Sequence, residues 1–213
     1  TMLYYREAGE GDLAVFIHGF PLDHSVWLNQ LAGLAHVRHC VAPDLRGYGR
    51  SDPIVEPSLS MEVIADDVAA LIEALGAESA DIVGLSMGGY AALALYELRP
   101  AMVRSLTLVD TRATPDSAEA REARDTLADQ LIDQGRTEFA GQMIPTLLGR
   151  SAGRSVRSRV RSMIEGTRYE TMIASLEGMK DRPDRTVILP QVAVPTLVVV
   201  GEDDALTPPA LAR

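Results

Sequence analysis

Residues 80–89 have the sequence Ala80-Asp81-Ile82-Val83-Gly84-Leu85-Ser86-Met87-Gly88-Gly89. The apolar pair Ile82-Val83 predicts a buried strand, and residues 88–98 predict a helix that ends before Pro100. Ser86 therefore lies between small residues at a tight turn from a strand into a helix. Such a turn lifts a serine clear of the sheet, and the helix N-terminus behind it favours developing negative charge. The alternative interpretation is a structural turn serine.

The flanking sequence predicts the fold class around this turn. Buried strands are expected at residues 14–17, 40–42 and 106–109, and a helix is expected at 61–75 with Ser60 as its N-cap. Strands that alternate with helices indicate a parallel sheet covered on both faces. We therefore predict an α/β fold with a doubly wound, mostly parallel sheet.

The alternation stops after Asp110. Residues 111 to about 190 have apolar side chains at helical spacing and no convincing strand pattern. Residues 195–201 then have the pattern of a buried strand. The segment from residue 111 to about residue 190 is too long for an ordinary loop between two strands. We predict that residues 1–110 form the first part of the sheet domain and residues 196–213 its last part. Residues 111–195 form an all-helical insertion between them, called the helical insertion below.

A second loop of chemical interest is His18-Gly19-Phe20-Pro21, which follows the first buried strand. Its backbone can present the N–H of Phe20 towards Ser86. Together with the N–H of Met87, this amide would form a two-donor hole for the oxyanion of a tetrahedral intermediate. The alternative is a plain turn at a strand end, with His18 as a packed histidine.

Composition excludes several classes of function. The only cysteine is Cys40, so multi-cysteine metal sites and disulfides within the chain are ruled out. A net charge of −10 argues against nucleic-acid binding, and no Walker-type nucleotide-binding motif is present. No apolar run is long enough to cross a membrane and the first residues lack a signal-peptide pattern, so we expect a cytoplasmic protein.

Four motifs in order resemble those of the α/β-hydrolase family. They are residues 18–21 (HGFP), 44–51 (DLRGYGRS), 84–89 (GLSMGG) and 201–204 (GEDD). The chain is similar to small bacterial carboxylesterases and enol-lactonases, and the helical insertion matches their cap in position. Cofactor-free haloperoxidases, or perhydrolases, share similar motifs.

The resemblance implies a catalytic acid after the seventh strand of the family. The segment Gly201 to Pro208 fits that pattern with Asp204 as the acid, whereas Asp203 and Asp110 (the latter after the sixth strand) are alternatives. The acid orients the catalytic imidazole and stabilises it when protonated.

The chain departs from the family at the histidine. All four histidines lie within residues 18–39, whereas the family places its base after the acid. His18 as a substitute base is an alternative, although the family uses the loop that holds it for oxyanion donors. A metal site at the H-x-x-H of His36 and His39 lacks carboxylate partners. The family's last helix pair, eighth strand and glycine–histidine turn have no counterpart in the sequence. We expect the native protein to continue roughly 40–50 residues beyond Arg213 with these elements.

The sequence predicts a serine hydrolase of small carboxylic esters or lactones that needs no cofactor, metal, nucleic acid or membrane. Alternatives are a perhydrolase and a non-catalytic binding protein on the same fold. The expected pocket lining is Trp27, Met143, Ile144 and Leu147.

Overall fold

The fold is built on a six-stranded sheet in a computed structural model that describes residues 1–212. The strand order is β1-β3-β2-β4-β5-β6. The first strand is antiparallel to its neighbour, and every other pair is parallel. The predicted mostly parallel sheet is confirmed. The strands are β1 (Tyr5–Ala8), β2 (Leu13–Ile17), β3 (His39–Pro43), β4 (Ala80–Leu85), β5 (Val103–Val109) and β6 (Thr196–Val199).

Helices cover both faces of the sheet. Alternate residues of a strand point to opposite faces, so Val15 and Ile17 join the larger core, whereas Phe16 joins the smaller one. Helices α2 (Met61–Ala74) and α3 (Met87–Leu98) contribute to the larger core, and α1 (Leu28–Leu34) to the smaller. Ser60 caps α2 as expected, because its Oγ accepts the N–H of Val63 at 3.3 Å.

The segment between Val109 and Thr196 contains helices and, within the described residues, no strand. Its α-helices are α4 (Ala118–Leu147), α5 (Arg154–Gly166) and α6 (Tyr169–Lys180). Helix α4 is broken at Gly135, where φ is 83°. The all-helical nature of the insertion is therefore observed, while its precise domain boundaries stay a prediction.

Helix α6 holds the helical insertion on the core. The Tyr48 hydroxyl donates to Ser175 Oγ at 2.7 Å, and the Leu59 N–H donates to the Ala174 carbonyl at 2.8 Å. Gly178 allows this approach, because a Cβ there would lie 1.8 Å from the Leu59 carbonyl oxygen. None of the helices in residues 1–212 is long and apolar enough to cross a membrane.

One strand was not predicted, and one expectation about a strand was wrong. The antiparallel β1 was missed, because its residues lack a distinctive apolar run. The strand predicted as buried at 195–201 is exposed, with Leu197 at 56% and Val199 at 42%. The reason is that, within residues 1–212, none of the four β6 residues joins either core, and the strand pairs with β5 alone.

Candidate active site

Ser86 lies at the turn between β4 and α3, as predicted. Its φ of 51° and ψ of −110° put a non-glycine residue in a strained region of backbone space. The surrounding structure holds this conformation: the Ser86 N–H donates to the Val109 carbonyl at 2.8 Å, and Thr111 Oγ1 donates to the Ser86 carbonyl at 2.8 Å. The side chain is partly exposed.

The glycines around Ser86 allow close packing of backbone against backbone. A Cβ on Gly88 would lie 2.3 Å from the Ile17 carbonyl oxygen, and one on Gly84 would lie 2.4 Å from the Gly88 carbonyl oxygen. The first turn of α3 therefore presses directly on the end of β2. This contact explains why the motif needs glycines on both sides of the serine.

The loop after β2 lies beside Ser86. A Cβ on Gly19 would be 3.3 Å from the Ser86 Cβ, which brings the backbone of Gly19 and Phe20 next to the serine. Within residues 1–212, neither the Phe20 N–H nor the Met87 N–H has a hydrogen-bond acceptor. Two unpaired amides beside one serine have the chemistry that an oxyanion hole requires.

His18 is fully buried and holds this loop in place. Its Nδ1 lies 3.0 Å from the Gly19 carbonyl oxygen, and its Nε2 accepts the N–H of Leu45 at 3.1 Å. These two contacts fix the neutral tautomer with the proton on Nδ1. Burial lowers the pKa of His18 as well. Both ring nitrogens are thus occupied, which leaves none to take the proton of Ser86.

The other three histidines are also engaged elsewhere or remote. His24 bonds through Nδ1 to Asp44 at 2.7 Å. His39 bonds to Glu7 at 2.8 Å and begins β3, and His36 lies just before it. The start of β3 is at the opposite end of the parallel strands from Ser86.

Asp204 and Asp110 lie together at the carboxyl ends of β6 and β5. Asp204 Oδ1 accepts the N–H groups of Leu206 and Thr207, at 2.8 and 2.9 Å. Burial opposes ionisation, but these bonds and that of the Thr207 hydroxyl lower the pKa of Asp204 below its usual value. The other alternative, Asp203, is exposed.

The predicted pocket residues do not all come together. Met143 and Ile144 are buried in the larger core and Leu147 packs against it, together with Phe20. The ring of Phe20 contacts Phe139 edge to face, with centroids 6.5 Å apart, so α4 reaches the loop beside Ser86. Trp27 instead packs against Phe16 in the smaller core, on the other side of the sheet.

Asp44 is a buried residue whose role the sequence did not reveal. Its carboxylate accepts His24 Nδ1 at 2.7 Å and the N–H groups of His24 and Arg50, both at 2.9 Å. A Cβ on Gly49 would lie 2.1 Å from this carboxylate. Asp23, His24 and Asp44 offer three ligand atoms within 4.8 Å of one another, but donors already occupy the Asp44 oxygens. The group therefore holds the loop that contacts His18.

We expect Asp44→Asn to destabilise the protein by about 3 kcal/mol at pH 7, because it removes a buried, hydrogen-bonded charge. Burial raises the pKa of Asp44, yet the bonds from His24 and Arg50 lower it below its usual value overall. The wild-type carboxylate therefore stabilises the fold above the unfolded pKa of about 3.9, and this contribution fades as pH falls through the folded pKa.

Urea unfolding from pH 7 to pH 3 checks this expectation. The difference between wild type and Asp44→Asn should shrink below about pH 4. The exposed Asp133→Asn is the matched control and should change stability little at any pH. A difference that is constant with pH would contradict the assigned role.

A family model described as alpha/beta hydrolase fold matches residues 15–158, more than half of the chain. The chain belongs to the α/β-hydrolase fold family. The 3-oxoadipate enol-lactonase 1 of Acinetobacter baylyi is 30% identical to this α/β-hydrolase over 91% of the chain and 71% of the relative. A bifunctional esterase/perhydrolase of Acinetobacter calcoaceticus is 31% identical, over 97% of the chain and 80% of the relative.

A solved structure extends the similarity to three dimensions. The thermophilic esterase from Thermogutta terrifontis, with malate bound, is 39% identical and superposes with a TM-score of 0.93. The alignment covers 99% of this chain and 78% of the esterase. The relatives of this α/β-hydrolase thus include esterases, a lactonase and a perhydrolase, which supports a hydrolase.

Proposed function

We propose that the protein is a serine hydrolase that cleaves small carboxylic esters or lactones through an acyl-enzyme. The observation that carries the proposal is Ser86 at a strained turn, beside two amides that have no acceptor among the described residues. The similarity to an esterase and an enol-lactonase supports the substrate class. The contact between Phe139 of α4 and Phe20 places apolar side chains of the helical insertion beside the loop next to Ser86, where we propose that a small acyl or alcohol group binds.

In the proposed reaction, Ser86 Oγ attacks the carbonyl carbon while a base takes its proton. The carbonyl oxygen becomes an oxyanion that accepts hydrogen bonds from the N–H groups of Phe20 and Met87. The protonated base then gives the proton to the departing alcohol oxygen, which leaves an acyl-enzyme. Water, deprotonated by the same base, releases the acid and restores Ser86.

We propose that the base is a histidine supplied from outside these 213 residues and oriented by Asp204. Among the described residues, none of the four histidines of the chain has a hydrogen bond to Ser86. His18 has both nitrogens bonded, His24 bonds through Nδ1 to Asp44, and His36 and His39 lie at the opposite end of the strands. A serine without a base is a poor nucleophile. Among the described residues, Asp204 Oδ2 accepts only the Thr207 hydroxyl, so this oxygen can accept one further hydrogen bond from an imidazole N–H.

Added imidazole should therefore accelerate p-nitrophenyl acetate hydrolysis by the 213-residue chain. We expect it to recover part of the 10²–10⁴-fold that a positioned general base contributes. Imidazole hydrolyses the ester by itself, so the same titration with Ser86→Ala supplies the background. Equal imidazole dependence of the two proteins would contradict the missing-base proposal.

A perhydrolase is the second candidate, favoured by the similarity to the bifunctional esterase/perhydrolase. It would use the same serine and amides, with hydrogen peroxide in place of water as the acyl acceptor. Peracid formation measured beside acid release from one ester separates the two. Peracid formation that exceeds hydrolysis at millimolar peroxide would favour the perhydrolase.

The test of the proposed function is covalent labelling by a fluorophosphonate probe, applied to the protein as expressed from its own gene. Peptide mapping should place the label on the peptide that contains Ser86. A label on any other serine, or no label in a protein that hydrolyses esters, would refute the assignment. No label and no ester hydrolysis would favour a binding protein.

A further inference from the structure

Thr111, the second residue after β5, holds the carbonyl group of Ser86. It is a buried residue, and its Oγ1 donates to the Ser86 carbonyl oxygen at 2.8 Å. The same oxygen accepts the N–H groups of Gly89 at 2.8 Å and Tyr90 at 3.2 Å. Those two bonds belong to the first turn of α3, whereas the Thr111 bond comes from the end of another strand. It therefore ties the turn at Ser86 to β5.

The glycine at position 89 leaves room for the Thr111 side chain. A Cβ on Gly89 would lie 2.5 Å from Thr111 Oγ1 and 2.6 Å from the Thr111 Cβ. Gly88, by contrast, faces the Ile17 carbonyl oxygen of β2. The two glycines of the motif thus face different neighbours, one in β2 and one after β5. The second glycine is required by the approach of Thr111.

The backbone at Asp110 directs Thr111 towards Ser86. Asp110 has a φ of 44°, in the left-handed region, where aspartate is tolerated better than most side chains. Its own N–H donates to the Val199 carbonyl of β6 at 2.9 Å. The residue before it, Val109, accepts the Ser86 N–H at 2.8 Å. The end of β5 therefore holds Ser86 at both its N–H and its carbonyl.

The Ser86 carbonyl belongs to the same peptide group as the Met87 N–H. This peptide is trans and planar, so its C=O and N–H point in opposite directions. Because three donors fix the Ser86 carbonyl on one side, the Met87 N–H is fixed on the other side. Within residues 1–212 this N–H has no hydrogen-bond acceptor. The bonds at the Ser86 carbonyl thus set the direction of the Met87 N–H.

A hydrogen bond to a carbonyl also changes the N–H of the same peptide. It draws electron density towards the oxygen and makes the N–H a stronger donor, which is the cooperativity of hydrogen bonds. Thr111 is buried, and this polarisation is larger in a medium of low dielectric constant than in water. The Thr111 hydroxyl therefore both aims and strengthens the Met87 N–H.

We propose that Thr111 is a positioning residue of the oxyanion hole: its hydroxyl sets the direction and the donor strength of the Met87 N–H through the Ser86 carbonyl. This inference rests on the proposed function, in which that N–H receives the oxyanion. The effect is largest in the transition state, where negative charge develops on the substrate oxygen. Thr111 acts through Ser86 rather than on the substrate itself. Loss of its hydroxyl therefore lowers kcat and leaves KM nearly unchanged.

The kinetic test is Thr111→Val in the protein as expressed from its own gene. Valine keeps the branched shape against Gly89, and the Ser86 carbonyl keeps its two bonds from α3. We expect kcat for p-nitrophenyl acetate to fall about tenfold, less than the roughly 10²–10³-fold lost with a whole oxyanion donor. Acylation and deacylation both pass through an oxyanion, so KM should stay within about twofold. Thr111→Ser, which retains the hydroxyl, should recover most of kcat.

The second measurement is the inhibition constant of a trifluoromethyl ketone, which adds to Ser86 and places an oxyanion in the hole. In Thr111→Val this constant should rise by the same factor by which kcat/KM falls. A loss of folded protein would reduce the amount of active enzyme and leave the inhibition constant unchanged.

Thr126→Val is the matched control for both measurements. Thr126 Oγ1 also donates to a backbone carbonyl, that of Glu122 at 3.0 Å, but at an exposed position of α4. The control makes the same chemical change away from Ser86. It should leave kcat, KM and the inhibition constant as in wild type.

A spectroscopic test of the same bond needs no activity. In protein labelled with nitrogen-15 methionine, the amide signal of Met87 is assigned by its absence in Met87→Leu. We expect Thr111→Val to shift this signal, because the bond from Thr111 polarises the peptide that contains it. Thr111→Ser should return the signal towards its wild-type position, and Thr126→Val should leave it in place.

The outcomes separate the two proposals. An unchanged kcat and inhibition constant in Thr111→Val, or no recovery of kcat in Thr111→Ser, would overturn the positioning role. A Met87 amide signal that is identical in wild type and Thr111→Val would overturn it as well. An absence of ester hydrolysis in the wild type would refute the proposed function, while the Met87 signal would still decide whether Thr111 polarises this peptide.

Discussion

Ser86→Ala should lower kcat/KM for p-nitrophenyl acetate by about 10⁴-fold or more in the protein as expressed from its own gene. The substitution removes the only atom that forms the acyl-enzyme. Alanine is smaller than serine, and the partly exposed Ser86 side chain has no hydrogen bond to lose within the described residues. The free energy of unfolding should therefore stay within about 0.5–1 kcal/mol of wild type. Steady-state kinetics and thermal unfolding on the same sample measure both quantities.

The matched control is Ser155→Ala, at an exposed position of α5. It makes the same chemical change far along the chain from the turn and should leave kcat/KM unchanged. Turnover retained by Ser86→Ala at more than a few per cent of wild type would refute the nucleophile. Loss of activity together with loss of folding would be seen in the unfolding curve and would not count as support.

The turn at Ser86 could be predicted from the sequence because the residues that form the turn also form its contacts with distant segments. The strand before Ser86, the glycines after it and the helix beyond them each leave a local pattern. The structure shows that Gly88 is also required by a distant contact with the Ile17 carbonyl. One short segment therefore encodes both its own turn and its position against β2.

The features that the sequence missed depend on contacts between distant segments. Whether Trp27 faces the pocket or the smaller core depends on which side of the sheet receives α1, and no local pattern encodes that choice. The exposure of β6 depends on which elements pack across its two faces, and within residues 1–212 none of its residues joins either core. Asp110 and Asp204 are 94 positions apart and both lie near Gly201, at the carboxyl ends of β5 and β6. The signal available in the sequence was that both residues fit positions for the family's acid.

Gly88→Ala should destabilise the protein by about 2–4 kcal/mol, a large fraction of the stability of a typical domain. The added methyl would lie 2.3 Å from the Ile17 carbonyl oxygen and 2.8 Å from that of His18. Both obstacles are backbone atoms at the end of the central strand β2, so no side-chain rotation relieves the clash. Either α3 or the loop at Gly19 must move, and both flank Ser86. We therefore expect a Tm lower by roughly 10 °C and a loss of esterase activity in the protein that remains folded.

Gly33→Ala is the control, because Gly33 is also a helical glycine but has open space around its Cα. Alanine favours a helix over glycine, so this variant should be more stable than wild type by about 0.5–1 kcal/mol. If alanine lowers the free energy of unfolding at position 88 and raises it at position 33, helix propensity cannot explain the loss at position 88. That loss would then come from the close approach of α3 to β2. If Gly88→Ala also proved neutral or stabilising, the Ile17 carbonyl could not lie against the first turn of α3. The placement of Ser86 beside the Phe20 amide, which depends on that contact, would then be wrong as well.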